Sequence, residues 1–300
     1  MRKTLDSHYY LTKLFPIVLF AFLLSACSKE SVTLEPELVN KTECEQCLIE
    51  QAFPTQVGTT HTIRLRDQLF TYTEYDGMYV YGGDILLTQE QIDQVKEMAR
   101  NNDVFRGVGR LANRWPGGVV YYSIEKGLAN KQRVFDAMAA ISAVTSITFQ
   151  EAVTKGKPSS RTPNYVNFRT GSGCSSFVGM IGGAQSINLA TGCSTGNTIH
   201  EICHALGIYH EQSRIDRDNY VIINFENITS GTENNFAKVS SSFAADYTPT
   251  LDFGSIMMYS SFAFSKNGLP TITKLDGSTY SVQRDALSSD DISTINTMYP

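Results

Sequence analysis

Residues 200 to 211 read His200-Glu201-Ile202-Cys203-His204-Ala205-Leu206-Gly207-Ile208-Tyr209-His210-Glu211, and three of the chain's five histidines fall within them. His200 and His204 stand four residues apart, so on a helix they project from one face, one turn above the other. That spacing lets two imidazoles reach one tetrahedral zinc ion, with a third ligand still to be found and a fourth position left open for water. A helix that simply continued would aim position 210 away from that face. Gly207 can adopt the positive φ that ends a helix and turns the chain, which lets His210 come back to the metal. Glu201, beside the first ligand, is placed to exchange protons with a metal-bound water rather than to bind the metal. Two other readings stay open at this point. The helix could carry histidines that only pack or face solvent, or the zinc could be structural, which would normally require a fourth protein ligand such as Cys. Cys203 points roughly 100° around the helix from His204 and is expected in the core.

The wider sequence makes the match more specific. The pattern H-E-x-x-H-x-x-G-x-x-H is that of the metzincin peptidases. Glu211 and the run to Arg214, Arg217 and Tyr220 that follow His210 resemble the astacin family. Further on, Ser255-Ile256-Met257-Met258-Tyr259 resembles the family's Met-turn, usually S-x-M-H-Y, with Met258 where the family has His. Trp115-Pro116-Gly117-Gly118-Val119 resembles the start of its catalytic domain. The resemblance implies a zinc endopeptidase that hydrolyses proteins or peptides. His200, His204 and His210 would be the ligands to one Zn2+, and Glu201 the general base. Met257 would form the hydrophobic base under the metal, and Tyr259 a ligand that swings away to stabilise the oxyanion. It also implies an α+β, two-lobed metzincin domain over 107–300 with the zinc at the base of a cleft. Strands expected at Val119 to Ile124, Tyr165 to Arg169 and Ser186 to Leu189, and a helix from Asn130 to Thr145, suit that class.

Upstream, Arg2, Lys3 and Lys13 precede an apolar run from Leu14 to Leu24 that is too short to span a bilayer as a mature helix and fits an export signal. It ends in Leu24-Ser25-Ala26-Cys27, which resembles a bacterial lipobox. Residues 1–26 would then be a lipoprotein signal and Cys27 the lipidated anchor of an envelope protein, released when the propeptide is cut. Residues 27–60 are polar and read as a tether. Tyr81-Gly82-Gly83-Asp84, ahead of a helix expected from Thr88 to Asn101 with a Thr88/Gln91 capping box, resembles the F-x-G-D motif of astacin propeptides. The resemblance implies that 61–106 is a small propeptide and that Asp84 is its zinc-ligating latency switch. Gly-Gly-Asp is also an ordinary turn. Arg106-Gly107 lies where the family's mature enzymes begin, so a trypsin-like protease is expected to cut there, with Arg110 the competing site. The resemblance implies that the freed Gly107 amine is then buried against Glu211, and a buried carboxylate needs such a partner.

Of six cysteines, Cys174 and Cys193 are spaced like one of the two astacin disulfides. The other disulfide has no counterpart, and Cys203 is left over as a buried thiol. Cys44 and Cys47 could form a small disulfide loop, a redox pair or a metal half-site, but no second CxxC completes a zinc ribbon. The net charge is −5 and no basic, aromatic-interleaved patch exists, so nucleic acid is not an expected partner. No internal repeat is evident, and a monomer is expected. The competing class is an inactive relative kept as a binding or adhesion module, but such a relative would usually have lost a ligand or the catalytic Glu.

Overall fold

Three capping boxes mark where this chain turns helical. In the computed structural model, which describes residues 50–65, 69–101, 113–154, 157–158, 163–239 and 246–300, Thr88 opens the first of these helices. Its Oγ1 accepts from the Gln91 amide at 3.1 Å, and the Gln91 side chain accepts from the Thr88 amide at 2.8 Å. Helix α1 (Gln89–Asn101) buries Ile92, Val95 and Met98, one face at helical spacing. Helix α2 (Gln132–Val144) buries Val134, Ala137, Met138 and Ile141. Ser194 and Asn197 form the second box, at the head of α3 (Thr195–Leu206). Ser288 and Asp291 form the third, at the head of α4 (Ser289–Met298). Among the described residues no helix is long and apolar enough to cross a membrane. The signal and lipobox with Cys27, the Cys44/Cys47 pair, and Arg106, Gly107 and Arg110 lie outside the described residues.

The strands are β1 (Thr59–Arg64), β2 (Leu69–Tyr75), β3 (Met78–Tyr81), β4 (Ile85–Leu87), β5 (Val119–Ile124), β6 (Thr148–Glu151), the short pair β7 (Val153–Thr154) and β8 (Lys157–Pro158), β9 (Tyr165–Thr170), β10 (Cys174–Phe177), β11 (Ala184–Leu189), β12 (Val221–Ile223) and β13 (Ile272–Lys274). Nine of them make one sheet in the order β1-β2-β3-β4-β10-β11-β9-β5-β6. The upstream segment contributes an antiparallel meander, β1 to β4. Its last strand adds in parallel to the β10 edge, with Ile85 opposite Ser176 and Leu86 opposite Phe177. The region read as a propeptide thus extends the sheet that supports the histidine helix.

Two cores frame the histidine helix. The first packs α2 and α3 against the sheet through Trp115, Val120, Ile141, Phe168, Ile187, Ile199 and Ile202. The second gathers Val221, Phe236, Leu251, Met258, Tyr259 and Ile272. Trp115 donates its indole N–H to the Ala205 carbonyl at 2.8 Å and Tyr299 its hydroxyl to Leu206 at 2.7 Å. The start of the 107–300 region and its last turn are both thereby pinned to α3. The buried Arg133 guanidinium donates to the carbonyls of Ala190 and Cys193, fixing the loop that enters α3. Cys174 and Cys193 are disulfide-bonded across a separation of 19 residues, and Cys203 is a buried free thiol. Replacing both bridged cysteines with Ala is expected to destabilise the fold by roughly 3 kcal/mol, the cost of leaving a loop of this size open in the unfolded chain. It would be read as a lower urea midpoint, with a steeper slope because the unbridged unfolded chain exposes more surface.

Residues 50–52, inside the stretch expected as a tether, are packed against the rest of the described chain. Glu50 and Ala52 are buried, and the Ala52 amide donates to Gly83 at 2.9 Å. Polar composition suggested a linker, whereas the partner that folds it, Arg284, lies 234 residues away.

Candidate active site

Helix α3 presents His200 and His204 from one face, and Gly207 ends it at φ 106°. The reversal brings His210 back, so that the His200 and His210 ring centroids are 5.2 Å apart and those of His204 and His210 4.7 Å apart. Each helical histidine is oriented through its other nitrogen. His200 Nδ1 lies 2.9 Å from the Ile256 carbonyl and His204 Nδ1 2.7 Å from that of Ile208. Carbonyls only accept, so Nδ1 carries the proton and Nε2 is left as a bare acceptor turned inward.

Into the same point comes Asp84, fully buried. Its Oδ2 is 3.3 Å from His200 Nε2 and 3.2 Å from His210 Nε2, and its Oδ1 is 3.5 Å from His204 Nε2. His200 Nε2 and His210 Nε2 are 3.3 Å apart. Zinc ligands about 2.0–2.1 Å from the ion, arranged tetrahedrally, stand roughly 3.3 Å from one another, and these four separations are close to that spacing. His204 Nε2 and Asp84 Oδ1 are buried without a hydrogen-bond partner among the described residues, and the four residues each offer a ligand atom within 4.8 Å of the others. Buried acceptors converging on one point require a cation between them. The donor set of imidazoles plus carboxylate is that of a zinc site.

Glu201 is fully buried, and neither carboxylate oxygen has a hydrogen-bond partner among the described residues. Burial first, and then the nearby Asp84 and Glu50 charges, push its carboxyl well above the usual range. The Tyr259 ring packs 4.7 Å from that of His210, and its hydroxyl donates to the Gly82 carbonyl at 2.6 Å. A Cβ on Gly83, which has φ +91°, would stand 3.0 Å from that hydroxyl. The glycines of the Gly82-Gly83-Asp84 turn are therefore what let the segment pass so close to the tyrosine.

The turn from Ser255 to Tyr259 joins the two cores. Met257 is buried in the first and Met258 in the second. An apolar side chain at position 258 therefore suits this fold, where the family pattern has His. Asp291, which sequence reasoning did not single out, holds the turn. It accepts from the Ser255 hydroxyl at 2.6 Å and the Ile256 amide at 2.9 Å, while Ile256 in turn orients His200. The only signal for it was the S-x-x-D capping pattern at Ser288. Gln212 was also missed, and its Oε1 accepts from the Tyr259 amide at 3.2 Å.

Glu211 lines a cavity with Asn113, Arg114, Tyr247, Asp291 and Met298. Its carboxylate accepts from the Asp252 amide at 2.9 Å and lies 3.6 Å from Arg214. Burial nonetheless pushes it up to about 7.

Residues 107–300 match the sequence model of the Astacin peptidase family, and the chain belongs to this family of zinc metalloendopeptidases. It is 35% identical over 228 residues to Protein SpAN of Strongylocentrotus purpuratus, a match that covers 73% of this chain and 37% of that protein. Flavastacin of Elizabethkingia meningoseptica is 36% identical over 269 residues, 81% of this chain and 56% of that protein. The chain thus spans between about a third and just over half of the length of these relatives. Among solved structures, High choriolytic enzyme 1, a hatching enzyme zinc-protease from Oryzias latipes (Medaka fish), superposes with a TM-score of 0.55 at 32% identity, covering 63% of this chain and 93% of that one.

Proposed function

We propose that the chain is the latent precursor of a zinc-dependent endopeptidase, silenced by Asp84 and activated by cleavage after Arg106 or Arg110. The observation that carries this reading is the Asp84 carboxylate seated among three histidines, delivered by a segment that also adds a strand to the sheet edge beside them. A carboxylate there fills the position that a hydrolytic water needs. Bound at His200, His204 and His210, zinc would supply a water acidic enough to ionise near neutral pH and would polarise the substrate carbonyl.

The chain's own residues do the rest. Glu201, once Asp84 leaves, takes the water's proton and delivers it to the departing amine, a role suited to a carboxyl that burial has made more basic. Tyr259, released from the Gly82 carbonyl, has a hydroxyl free to donate to the developing oxyanion. Met257 packs beneath the histidines. Glu211, in its cavity, receives the new Gly107 amine, and the resulting ion pair orders the mature N-terminus. The two cores are then the two lobes of a cleft. An export signal over 1–26 and a lipid on Cys27 would place the enzyme in a bacterial cell envelope, where the Cys174–Cys193 bond can persist. The inactive-module reading is disfavoured because His200, Glu201, His204, His210, Met257 and Tyr259 are all present.

The test is a casein digest with full-length and trypsin-nicked protein, each with and without 1,10-phenanthroline, beside a zinc assay. One zinc per chain, with activity that appears on nicking and vanishes with chelator, is expected. Zinc without hydrolysis in either form would favour a binding module.

A further inference from the structure

Glu50 is the other acid that the upstream segment buries against the catalytic half. Its Oε1 accepts from Arg284 Nε at 2.7 Å and Asn197 Nδ2 at 2.7 Å, and its Oε2 from Arg284 Nη2 at 3.0 Å. Oε1 also lies 4.0 Å from His200 Nδ1. Glu50 is fully buried and Arg284 nearly so. The catalytic half builds its side of this site without Glu50. Arg284 also donates to the Met258 carbonyl at 3.1 Å and to that of Gln283 at 2.9 Å. Gly196, in the first turn of α3, sits so close to the Arg284 backbone that a Cβ would fall 1.6 Å from its carbonyl oxygen. Asn197 is fixed by its capping box with Ser194. A planar guanidinium held this way recognises a carboxylate in two-pronged fashion.

The backbone around Glu50 docks as closely. A Cβ on Gly173, at the foot of β10, would lie 1.8 Å from the Gln51 carbonyl oxygen, and the Ala52 amide donates to Gly83, the residue before Asp84. Residues 50–52 therefore touch both the foot of β10 and the turn that carries Asp84.

We propose that Glu50 is a second latch on the catalytic cleft, a carboxylate seated in a site formed by Arg284 and Asn197 beneath His200, which keeps the Asp84 turn in place. The proposal rests on the latent-peptidase reading. It differs from a generic packing role in one respect, namely that Glu50 leaves with the propeptide. A stabilising contact of this kind acts on the precursor and is absent from the mature enzyme. Removing the Glu50 charge alone leaves the buried Arg284 guanidinium without its partner, and that is what Glu50→Gln costs the closed segment.

The experiment uses the full-length chain. In the wild-type precursor, amide hydrogen exchange followed by mass spectrometry should show protection at Ala52 comparable with that at 85–87, since both amide sets are hydrogen-bonded in the closed segment. Glu50→Gln should abolish the protection at 50–52. It should raise turnover of a fluorogenic peptide by the uncut precursor on the order of tenfold or more, and speed zinc loss to a chelator in parallel. After nicking, the variant and wild type should be indistinguishable, which shows that the variant folded. Wild-type exchange at Ala52 as fast as at an exposed amide would overturn the latch, with or without a folded variant. So would an uncut Glu50→Gln precursor that keeps wild-type turnover and zinc retention. If the nicked wild type hydrolyses nothing, the peptidase reading fails, while the exchange measurement still decides whether Glu50 holds the segment.

Discussion

Glu201→Gln, assayed after nicking, is expected to keep its zinc and its fold yet lose turnover by about 10²-fold or more, because the amide cannot take a proton from water. The argument rests on where the side chain stands. Glu201 is buried beside the first histidine, and neither of its oxygens has a hydrogen-bond partner among the described residues. A structural carboxylate in such a place would be satisfied by donors, because an unsatisfied buried acceptor carries a desolvation cost of roughly 1–3 kcal/mol with nothing to offset it. A group kept in that condition is poised for a donor that arrives with the reaction. Gln has the same shape and avoids the buried charge, so the variant should unfold at a temperature no lower than the parent. Metal content, kcat/KM and Tm measured on one preparation separate the possibilities. Intact zinc and Tm with lost kcat/KM place Glu201 in the chemistry. Unchanged kcat/KM would mean that another group moves the proton. Lost zinc would mean that Glu201 shapes the metal site instead.

The local parts of this site were legible because their information is local. Histidines four apart, a glycine at the helix end and an acid beside the first ligand each follow from helix geometry, and α3 with Gly207 at φ 106° realises them. The Thr88/Gln91 box was readable for the same reason, being two hydrogen bonds between residues three apart. The Cys174–Cys193 bond came from the family's spacing, and the structure contains it. The residues that escaped act across long sequence separations. Asp291 supports the Met-turn from 35 and 36 residues away, and its capping pattern gives no hint of that second task. Glu50 sits in a polar stretch whose composition suggests a tether, and only the approach of Arg284 makes it a core residue. The arrangement of the histidines was thus visible from the motif, while the contacts that restrain it were not. The strand that the upstream segment adds to β10 was hidden for a related reason. A three-residue strand, Ile85–Leu87, carries too little alternation to declare itself.

The other large effect should appear in the precursor rather than the mature enzyme. Asp84→Ala is expected to raise the activity of the uncut chain on the order of 10²-fold and to leave the nicked enzyme unchanged. Asp84 meets all three histidines at 3.2 to 3.5 Å, and uncoupling a buried charge from such partners costs roughly 3–5 kcal/mol. Each 1.4 kcal/mol is a tenfold change in an equilibrium, so the closed population should fall by about that factor. Asp84→Asn is the sharper companion, because it keeps the size of the side chain and removes the charge. If both variants open the precursor, charge at the metal is what silences it. If Ala opens it and Asn does not, occupancy by any side chain suffices. A precursor that stays silent in both would shift the burden to the backbone. The Ser176 amide donates to the Asp84 carbonyl, and β4 pairs with β10, so the added strand could by itself deny the cleft edge to a substrate. Tyr259 gives an independent reading of the same event. Its hydroxyl is tied to the Gly82 carbonyl in the closed segment, so Tyr259→Phe should loosen the uncut chain slightly while costing the nicked enzyme its oxyanion donor. Opposite signs in the two forms would show that the segment silences the enzyme by holding the catalytic tyrosine as well as by filling the metal.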